Sequence, residues 1–303
     1  MMLKNLNIGE PVFQRNLLLF PLYRGENGDG ELIIKTIEDA YNEGFGGFRE
    51  LERPNIEKVI FENRGSYPVF AIDGEQVLGA FQNRVINTAF FSEPNTVIEV
   101  PVTCVEERRW GGKRNFDFSS TTLYPSLRAL LLKTTNKSLI LKNSFISDQK
   151  LVWENIRKTL TSLNVYSKTL SIQDAFNIYE SQINWYLDGV NFDNACGIIA
   201  FAGPNFLCMD LFVSKSLFLK FKEKILKGYA LDAILLREYK TDFVEKDRVK
   251  EIIEKVKRLR IREYKGLGNG VELRGEGEGL ILRGFKKERD KILHLAIFPD
   301  FKL

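Results

Sequence analysis

Polar side chains with the capacity for chemistry concentrate in residues 74–110. They fall into three groups: Glu75; Gln82, Asn83, Arg84 and Asn87; and Glu106, Arg109 and Trp110. A guanidinium at Arg84 or Arg109 can form two parallel hydrogen bonds with a phosphate or a carboxylate. The amides of Gln82 and Asn83 can donate to and accept from a sugar or a base. This composition predicts a site for an anionic small molecule.

Three residues are candidates for catalysis. Glu75 and Glu106 can serve as a general base, as a ligand of a divalent metal or as the partner of an arginine. His294 is the only histidine and so the only imidazole available for proton transfer, although an apolar strand-like run surrounds it and a core position is the alternative. Trp110 could stack on a planar ligand or cover the end of a sheet.

The order of residues within this segment supports a site. A strand that faces solvent on one side alternates apolar and polar residues, and Gln82-Asn83-Arg84 does not. If the segment is a strand, both of its faces carry groups that need hydrogen-bond partners. A buried amide without a partner costs about 1 to 3 kcal/mol, so the groups must bind one another or a ligand. We favour a ligand, with a buried polar scaffold as the alternative.

The elements that must position these residues predict an α+β fold. Residues 81–91 and 96–105 are the longest strand candidates, and the Ser-Glu-Pro-Asn turn between them predicts a long antiparallel hairpin. Pro101 places the second strand at an edge or at a bulge, because proline donates no ladder hydrogen bond. A helix is predicted from Ile37 to Gly44, with Thr36 as its N-cap.

The second half of the chain is predicted to be rich in helices and to return to strands. The predicted helices cover residues 122–134, 148–163, 172–187, 216–236 and 245–258, with Ser147 and Ser171 as N-caps. A buried strand pair is predicted at 196–202 and 206–213. No repeat or linker interrupts the sequence, so we expect a single domain, 1–303, with a β-rich half at 1–118 and a helix-rich half at 119–303.

Two glycine-rich runs resemble phosphate-binding loops. They cover residues 266–270 and 275–279. A dinucleotide-binding loop is followed by a helix, whereas strand-like residues follow both runs. Hairpin turns or bulges are therefore the better interpretation.

The composition excludes several classes of function. The hydrophobic share of 44% and the charged share of 28% are those of an ordinary folded protein. The 44 basic and 40 acidic residues nearly balance, which argues against a nucleic-acid partner, and no segment is apolar enough for a membrane. Three widely spaced cysteines, Cys104, Cys196 and Cys208, indicate free thiols and a cytoplasmic location.

The same inventory restricts the choice of metal. Zinc sites use clusters of histidine and cysteine at short spacing, and the sequence contains no such cluster. A metal, if one is used, would be a hard divalent ion such as magnesium, bound by carboxylates and carbonyls. The sequence leaves the cofactor and the metal unknown.

The central residues also resemble a known family. Gly74-Glu75, Gly79-Ala80-x-Gln82-Asn83-Arg84 and the segment from Val100 to Trp110 are similar to the ADP-ribosylglycohydrolase and rhodanese/phosphatase-superfamily associated protein domain family, which has no firmly established activity. The resemblance implies a role near ADP-ribose or related nucleotide metabolism, without implying glycohydrolase or phosphatase chemistry. By matching positions it also adds Glu50 as a ligand-binding residue and points to Asp210.

Three functions remain open at this point. We expect a protein that binds or processes a phosphate-bearing, nucleotide-like small molecule, with its status as an enzyme undecided. The first alternative is a noncatalytic protein-interaction module whose polar block is structural, with unknown protein partners. The second is an RNA-binding accessory protein that uses residues 220–227 and 255–265 as a basic surface.

Overall fold

The computed structural model describes residue 3 and residues 5–25, 33–239, 244–287 and 291–301. It confirms the α+β class: strands predominate up to residue 122, helices follow, and the chain returns to strands. In this part of the chain, no helix is long and apolar enough to cross a membrane. Cys104, Cys196 and Cys208 are buried free thiols.

The strands of the first half are short. In chain order they are β1 (Leu6–Ile8), β2 (Val12–Gln14), β3 (Leu17–Arg24), β4 (Gly46–Arg49), β5 (Lys58–Asn63), β6 (Val69–Ala71), β7 (Glu75–Gly79), β8 (Arg84–Ile86), β9 (Phe90–Ser92), β10 (Thr96–Cys104) and β11 (Phe116–Thr122). One short helix, α1 (Ile37–Asn42), lies among them. Thr36 caps it through a capping box with Asp39, as predicted.

The second half contains the long helices and the strands of the main sheet. The helices are α2 (Pro125–Lys142), α3 (Gln149–Ser162), α4 (Ile172–Ile178), α5 (Glu180–Leu187), α6 (Lys215–Leu235) and α7 (Lys246–Arg258). The strands are β12 (Gly197–Ala202), β13 (Asn205–Phe212), β14 (Arg260–Lys265), β15 (Leu267–Gly268), β16 (Val271–Gly277), β17 (Leu280–Lys287) and β18 (Lys291–Pro299). The predicted buried strand pair is the antiparallel hairpin β12–β13.

A large antiparallel sheet organises the molecule, with the strand order β1-β3-β12-β13-β18-β17-β16-β14 and β2 beside β3. Its side chains alternate between two apolar cores. Leu17 and Leu19 face the core that contains α2 and α6, whereas Leu18 and Phe20 face the core that contains α7. The apolar face predicted for the charged helix 245–258 is confirmed, because Val249, Ile252, Ile253 and Val256 are buried there.

A second antiparallel sheet closes into a six-stranded barrel among the described residues, with the order β11-β7-β8-β10-β5-β4. An isolated bridge between Arg49 and Asn115 joins the first and last strands. The N–H of Glu50 also donates to the carbonyl of Arg114 at 2.8 Å. Phe48, Phe61 and Phe116 help to fill the barrel.

The long hairpin predicted in the first half is only partly correct. β8 and β10 are antiparallel, with Arg84 opposite Cys104, but residues 81–91 are not one strand. The chain turns at 80–83 and leaves the barrel after Ile86, and β9 joins β6 and β15 in a small separate sheet. Pro101 lies where β10 changes partner from β5 to β8, so its missing donor falls at a junction and not at a sheet edge.

Several predicted helix boundaries shift for local reasons. Residues 116–122 form β11, so α2 cannot begin at the predicted residue 122. It begins at Pro125, because proline is well suited to the first turn of a helix. Asp148, not Ser147, caps α3. Ser171 caps α4 as predicted, but the predicted helix 172–187 is interrupted at Tyr179, which ends α4 and precedes α5.

The glycine-rich runs form turns and strand junctions, as predicted. Residues 278–279 make the turn of the β16–β17 hairpin, and Gly279 has a positive φ of 73°. Gly268 also has a positive φ, and a Cβ there would lie 2.0 Å from the carbonyl oxygen of Phe91. Glycine is therefore required where β15 runs beside β9.

The amino end of α2 receives its cap from a distant helix. Tyr124, at the N-cap position, makes no side-chain capping bond. Instead, Asp232 of α6 accepts hydrogen bonds from the backbone N–H and the hydroxyl of Ser126, both at 2.8 Å. Burial raises the pKa of Asp232 to about 6, although both bonds from Ser126 oppose the shift.

This pKa gives the stability of the fold a pH dependence. A carboxyl group whose pKa is higher in the folded state stabilises the fold at low pH and loses that contribution as pH rises from its ordinary pKa of 3.8 to about 6. In Asp232→Asn the side chain does not titrate. We expect the stability of the wild type relative to this variant to fall by roughly 2 to 3 kcal/mol between about pH 4 and pH 7.5.

Urea unfolding of both proteins at the two pH values measures this difference. Because the other titrating groups are shared, subtraction isolates Asp232. A difference in unfolding free energy that is the same at both pH values contradicts the prediction.

Candidate functional site

Most of the predicted site residues lie at one end of the barrel. β4, β7 and β10 end there, and β8 and β11 begin there, because neighbouring strands run in opposite directions. We call this end the site rim and define it by Glu50, Gln82, Arg84, Cys104 and Trp110. The loop 105–115 crosses it and carries Glu106 and Arg109.

Arg109 holds the turn between β7 and β8. Its Nε and Nη2 donate to the two carboxylate oxygens of Glu106 at 2.8 and 2.6 Å. Its Nη1 donates to the carbonyl of Ala80 at 2.7 Å and its Nη2 to that of Gly79 at 3.0 Å. Gly79 and Ala80 both have positive φ, so the guanidinium braces a strained turn.

Glu106 and Asn83 belong to the same brace. Burial opposes ionisation of Glu106, but the bonds from Arg109 and from the N–H of Asn83 hold its pKa below the usual value. The side chain of Asn83 accepts from the N–H of Gly79 at 2.7 Å and donates to the hydroxyl of Ser171 at 3.1 Å. These groups are engaged within the protein.

Arg84 is different, because it is fully buried and poorly partnered. Its Nη1 donates to Oε1 of Gln82 at 3.2 Å, and its Nη2 lies 3.8 Å from Oε1 of Glu50. Nε and Nη2 of Arg84 and Oε2 of Glu50 have no hydrogen-bond partner among the described residues. A buried guanidinium with unused donors is costly unless another group binds it.

Aromatic side chains cover this guanidinium. The ring of Trp110 lies 5.6 Å from Cζ of Arg84 and 5.5 Å from the ring of Phe81. Trp110 is 53% exposed, whereas Arg84 is wholly buried. The indole therefore lies over Arg84 and presents its other side to solvent.

The titratable groups of the site rim respond to burial. Burial raises the pKa of the Glu50 carboxyl, more than the nearby charge of Arg84 lowers it. Burial also raises the pKa of Cys104 to about 11, so this side chain is a neutral thiol at neutral pH. Burial lowers the pKa of Arg84, and Glu50 acts in the opposite direction.

Three predicted site residues, Glu75, Asn87 and His294, lie away from the site rim. Glu75 is at the other end of β7, separated from the rim by about 13 Å of strand. It accepts from Lys224 at 2.9 Å and from the N–H of Ile72 at 2.9 Å. Asn87 donates to the carbonyl of Phe145 at 2.9 Å. Glu75 and Asn87 were grouped with Arg84 because they are close to it in sequence, but the strands β7 and β8 carry them to the other end of the barrel.

His294 lies in a separate buried charge network. Its Nε2 donates to Oδ1 of Asp210 at 2.8 Å, and its ring stacks on Phe212 at 4.4 Å. Asp210 also accepts two bonds from Arg128, at 2.8 and 3.0 Å, and one from Tyr229 at 2.5 Å. Burial opposes ionisation of Asp210, but Arg128 and His294 hold its pKa far below the usual value.

Sequence reasoning missed most of this network, which we define by Asp73, Arg128, Asp210, Glu272, Arg274, Arg283 and His294. The available signal was the occurrence of charged residues at inward positions of otherwise apolar strands, such as Asp210 in β13 and Arg283 in β17. Gly74 is a second sequence signal of the network, because it packs against Arg128. Its φ is 81°, and a Cβ there would lie 2.8 Å from Cγ of Arg128.

The sequence also raised a divalent metal and a polynucleotide as ligands. The described residues contain no group of three or more His, Cys, Asp or Glu side chains placed to bind a metal ion. The basic segments are largely ion-paired within the protein: Lys220 with Asp39, Lys227 with Glu223 and Lys257 with Glu254. These pairs reduce the positive charge that would face a polynucleotide.

The fold and the site rim define an α+β protein of antiparallel sheets with a buried, incompletely partnered ionic site. Residues 5–298 match the model of the ARG and Rhodanese-Phosphatase-superfamily-associated Protein domain. The match spans nearly the whole chain, so the chain belongs to this family, as the resemblance indicated. No curated protein and no solved structure matches the chain.

The brace around Arg109 predicts a specific loss of stability. Arg109→Lys keeps the charge but loses the planar set of donors that reaches Glu106 and two carbonyls at once. We expect a loss of about 1 to 3 kcal/mol in unfolding free energy, measured by urea denaturation. Arg108→Lys alters the exposed neighbour in the same loop and should change stability by less than about 0.5 kcal/mol. Equal effects of the two substitutions would contradict the role of Arg109 as a brace.

Proposed function

We propose that the chain binds or processes a phosphate-bearing, nucleotide-like small molecule at the site rim, and that it does so in the cytoplasm, where buried free thiols such as Cys104 persist. One observation carries the proposal. Arg84 is buried with two nitrogens that lack partners, beside a carboxylate oxygen of Glu50 that also lacks one. An anionic group with attached hydroxyls would satisfy both.

Arg84 is the anion receptor in this proposal. Its free Nε and Nη2 edge can donate two parallel bonds to a phosphate, the geometry for which guanidinium is suited. Arg109 is the other arginine predicted for this role. It instead holds the turn that precedes Arg84 and adds a positive charge near it. Gln82 already holds Nη1 of Arg84 and so orients the receptor.

Trp110 and Phe81 provide the surface for the rest of the ligand. The exposed face of the indole can stack on a planar base. Because Trp110 covers Arg84, a ligand must displace the indole to reach the guanidinium. Binding should therefore change the environment of Trp110. Intrinsic fluorescence reports this change as the part of the signal that Trp110→Phe loses, because Trp153 and Trp185 also emit.

Glu50 supplies acid–base chemistry in the proposal. Its raised pKa, caused first by burial, makes it a better proton donor or acceptor near neutral pH than an ordinary glutamate. Glu106 keeps a lowered pKa and remains the ionised partner of Arg109. The family description, which records association with ARG and with rhodanese and phosphatase superfamilies, is compatible with a phosphate-ester ligand and extends the proposal to ADP-ribose-related metabolism.

A second candidate function has its own support. Asn83, Glu106 and Arg109 are engaged with one another, as the structural alternative requires. Exposed aromatic side chains, among them Tyr166 at 86% and Trp185 at 44%, could contact another protein. In this case the protein is a noncatalytic interaction module, and the site rim binds no small molecule.

Ligand-induced stabilisation tests the proposal. Thermal unfolding is measured with ADP-ribose, NAD, simple nucleotides and sugar phosphates, for the wild type, for Arg84→Gln and for the control Arg108→Gln. A ligand at about 100 times its dissociation constant stabilises the native state by about 2.7 kcal/mol, which shifts the midpoint measurably. We expect a shift in the wild type and in Arg108→Gln that Arg84→Gln loses.

Three results would count against the proposal. An equal shift in Arg84→Gln places the ligand elsewhere. No shift with any ligand, together with unchanged Trp110 fluorescence, favours the interaction module. Loss of the shift in both variants indicates unspecific attraction to positive charge and not a site at Arg84.

A further inference from the structure

A second cluster of arginines lies at the edge of the large sheet, away from the site rim. A pocket of about 290 Å³ opens there between α2, the edge strand β14 and its neighbour β16. We call it the arginine pocket. It is lined by Asn136, Leu139 and Ile140 of α2, Arg260, Arg262 and Tyr264 of β14, and Arg274, Gly275 and Glu276 of β16.

The strand register places like charges side by side. Arg262 of β14 lies directly opposite Arg274 of β16, and Arg274 lies directly opposite Arg283 of β17. Like charges in directly opposed positions destabilise a sheet unless an anion neutralises them. Glu272 neutralises part of this charge at Arg274 and Arg283, since its Oε1 lies 2.8 Å from Nε of Arg274 and 3.1 Å from Nη2 of Arg283.

Arg274 carries an unused donor at the pocket. Its side chain is only 5% exposed, and its Nη1 donates to Oδ1 of Asn136 at 2.8 Å. Its Nη2 is buried and has no hydrogen-bond partner among the described residues. Burial, followed by the charge of Arg283, lowers the pKa of Arg274 to about 10, against the attraction of Glu272. A buried cation with an unused donor beside a pocket has the electrostatic character of an anion receptor.

The remaining walls combine positive charge with apolar surface. Arg260 and Arg262 are exposed and stand on the same face of β14 as Tyr264, since side chains alternate along a strand. Glu276, opposite Arg260, is the only acidic residue of the lining. Ile140, 61% exposed, supplies an apolar side wall from α2.

We propose that the arginine pocket binds a phosphate monoester: Arg274, Arg262 and Arg260 hold the phosphate, and Tyr264 and Ile140 contact its organic body. Glu272, outside the lining, pairs with Nε of Arg274 but leaves its Nη2 without a partner. The lining itself presents three guanidinium groups and one carboxylate, which favours a dianion over a singly charged carboxylate. The inference is independent of the function proposed for the site rim, because the two sites share no residue.

Isothermal titration calorimetry with phenyl phosphate tests this site, with inorganic phosphate and benzoate as comparison ligands. Arg262→Ser removes an exposed charge and should leave the fold intact. Lys265→Ser is the matched control, because it removes an exposed charge from the opposite face of the same strand. Arg84→Gln reports on binding at the site rim.

We expect phenyl phosphate to bind more tightly than inorganic phosphate or benzoate, and Arg262→Ser to weaken it by about tenfold or more. Lys265→Ser and Arg84→Gln should leave its dissociation constant unchanged. Equal weakening by Arg262→Ser and Lys265→Ser, loss of binding only in Arg84→Gln, tighter binding of benzoate, or no saturable binding would each overturn the proposal.

Discussion

The ion pair between Arg128 of α2 and Asp210 of β13 fixes how the parts of this molecule fit together. Both side chains are fully buried, and burial of an unpaired charge costs several kcal/mol. Arg128 also approaches Asp73, next to the barrel strand β7, with Nε 3.5 Å from its carboxylate. α2, the large sheet and the barrel must therefore dock in one arrangement, because any other leaves one of these charges without its partner.

The Arg128–Asp210 centre of the buried charge network and the two proposed sites differ in how completely their groups are bonded. Asp210 accepts four hydrogen bonds from three residues, which uses its acceptor capacity. Arg84 and Arg274 are also buried, yet each retains a terminal nitrogen without a partner. In Arg128 only Nε lacks a hydrogen bond, and it lies 3.5 Å from the carboxylate of Asp73. Arg128 and Asp210 are at the junction of the parts, whereas Arg84 is at a barrel end. Arg274 is the member of the network next to the sheet edge, where it borders a pocket that a ligand can enter. This contrast separates structural charges from candidate receptors.

Local patterns predicted the fold class, the antiparallel pairs and several helices, because each depends on residues close in sequence. The buried face of α7 and the capping box of α1 are examples. The polar run Gln82-Asn83-Arg84 violates strand alternation because its first two residues form a turn, which the positive φ of Ala80 begins. The sequence could not show this, since Arg109, 29 residues away, holds the turn.

Grouping by sequence proximity also explains why the predicted site residues do not all lie together. Glu75 and Arg84 are near in sequence, but a strand that runs from one end of the barrel to the other separates them. Arg274 is the opposite case, because its hairpin is rich in Arg, Glu and Gly and its sequence alone indicates an exposed residue. It is buried because it lies opposite Arg262 in the sheet and because α2 packs over it. Charge on an antiparallel sheet acquires a function from its cross-strand neighbours, so the pairing of strands, more than the order of residues, determines which arginines can receive an anion.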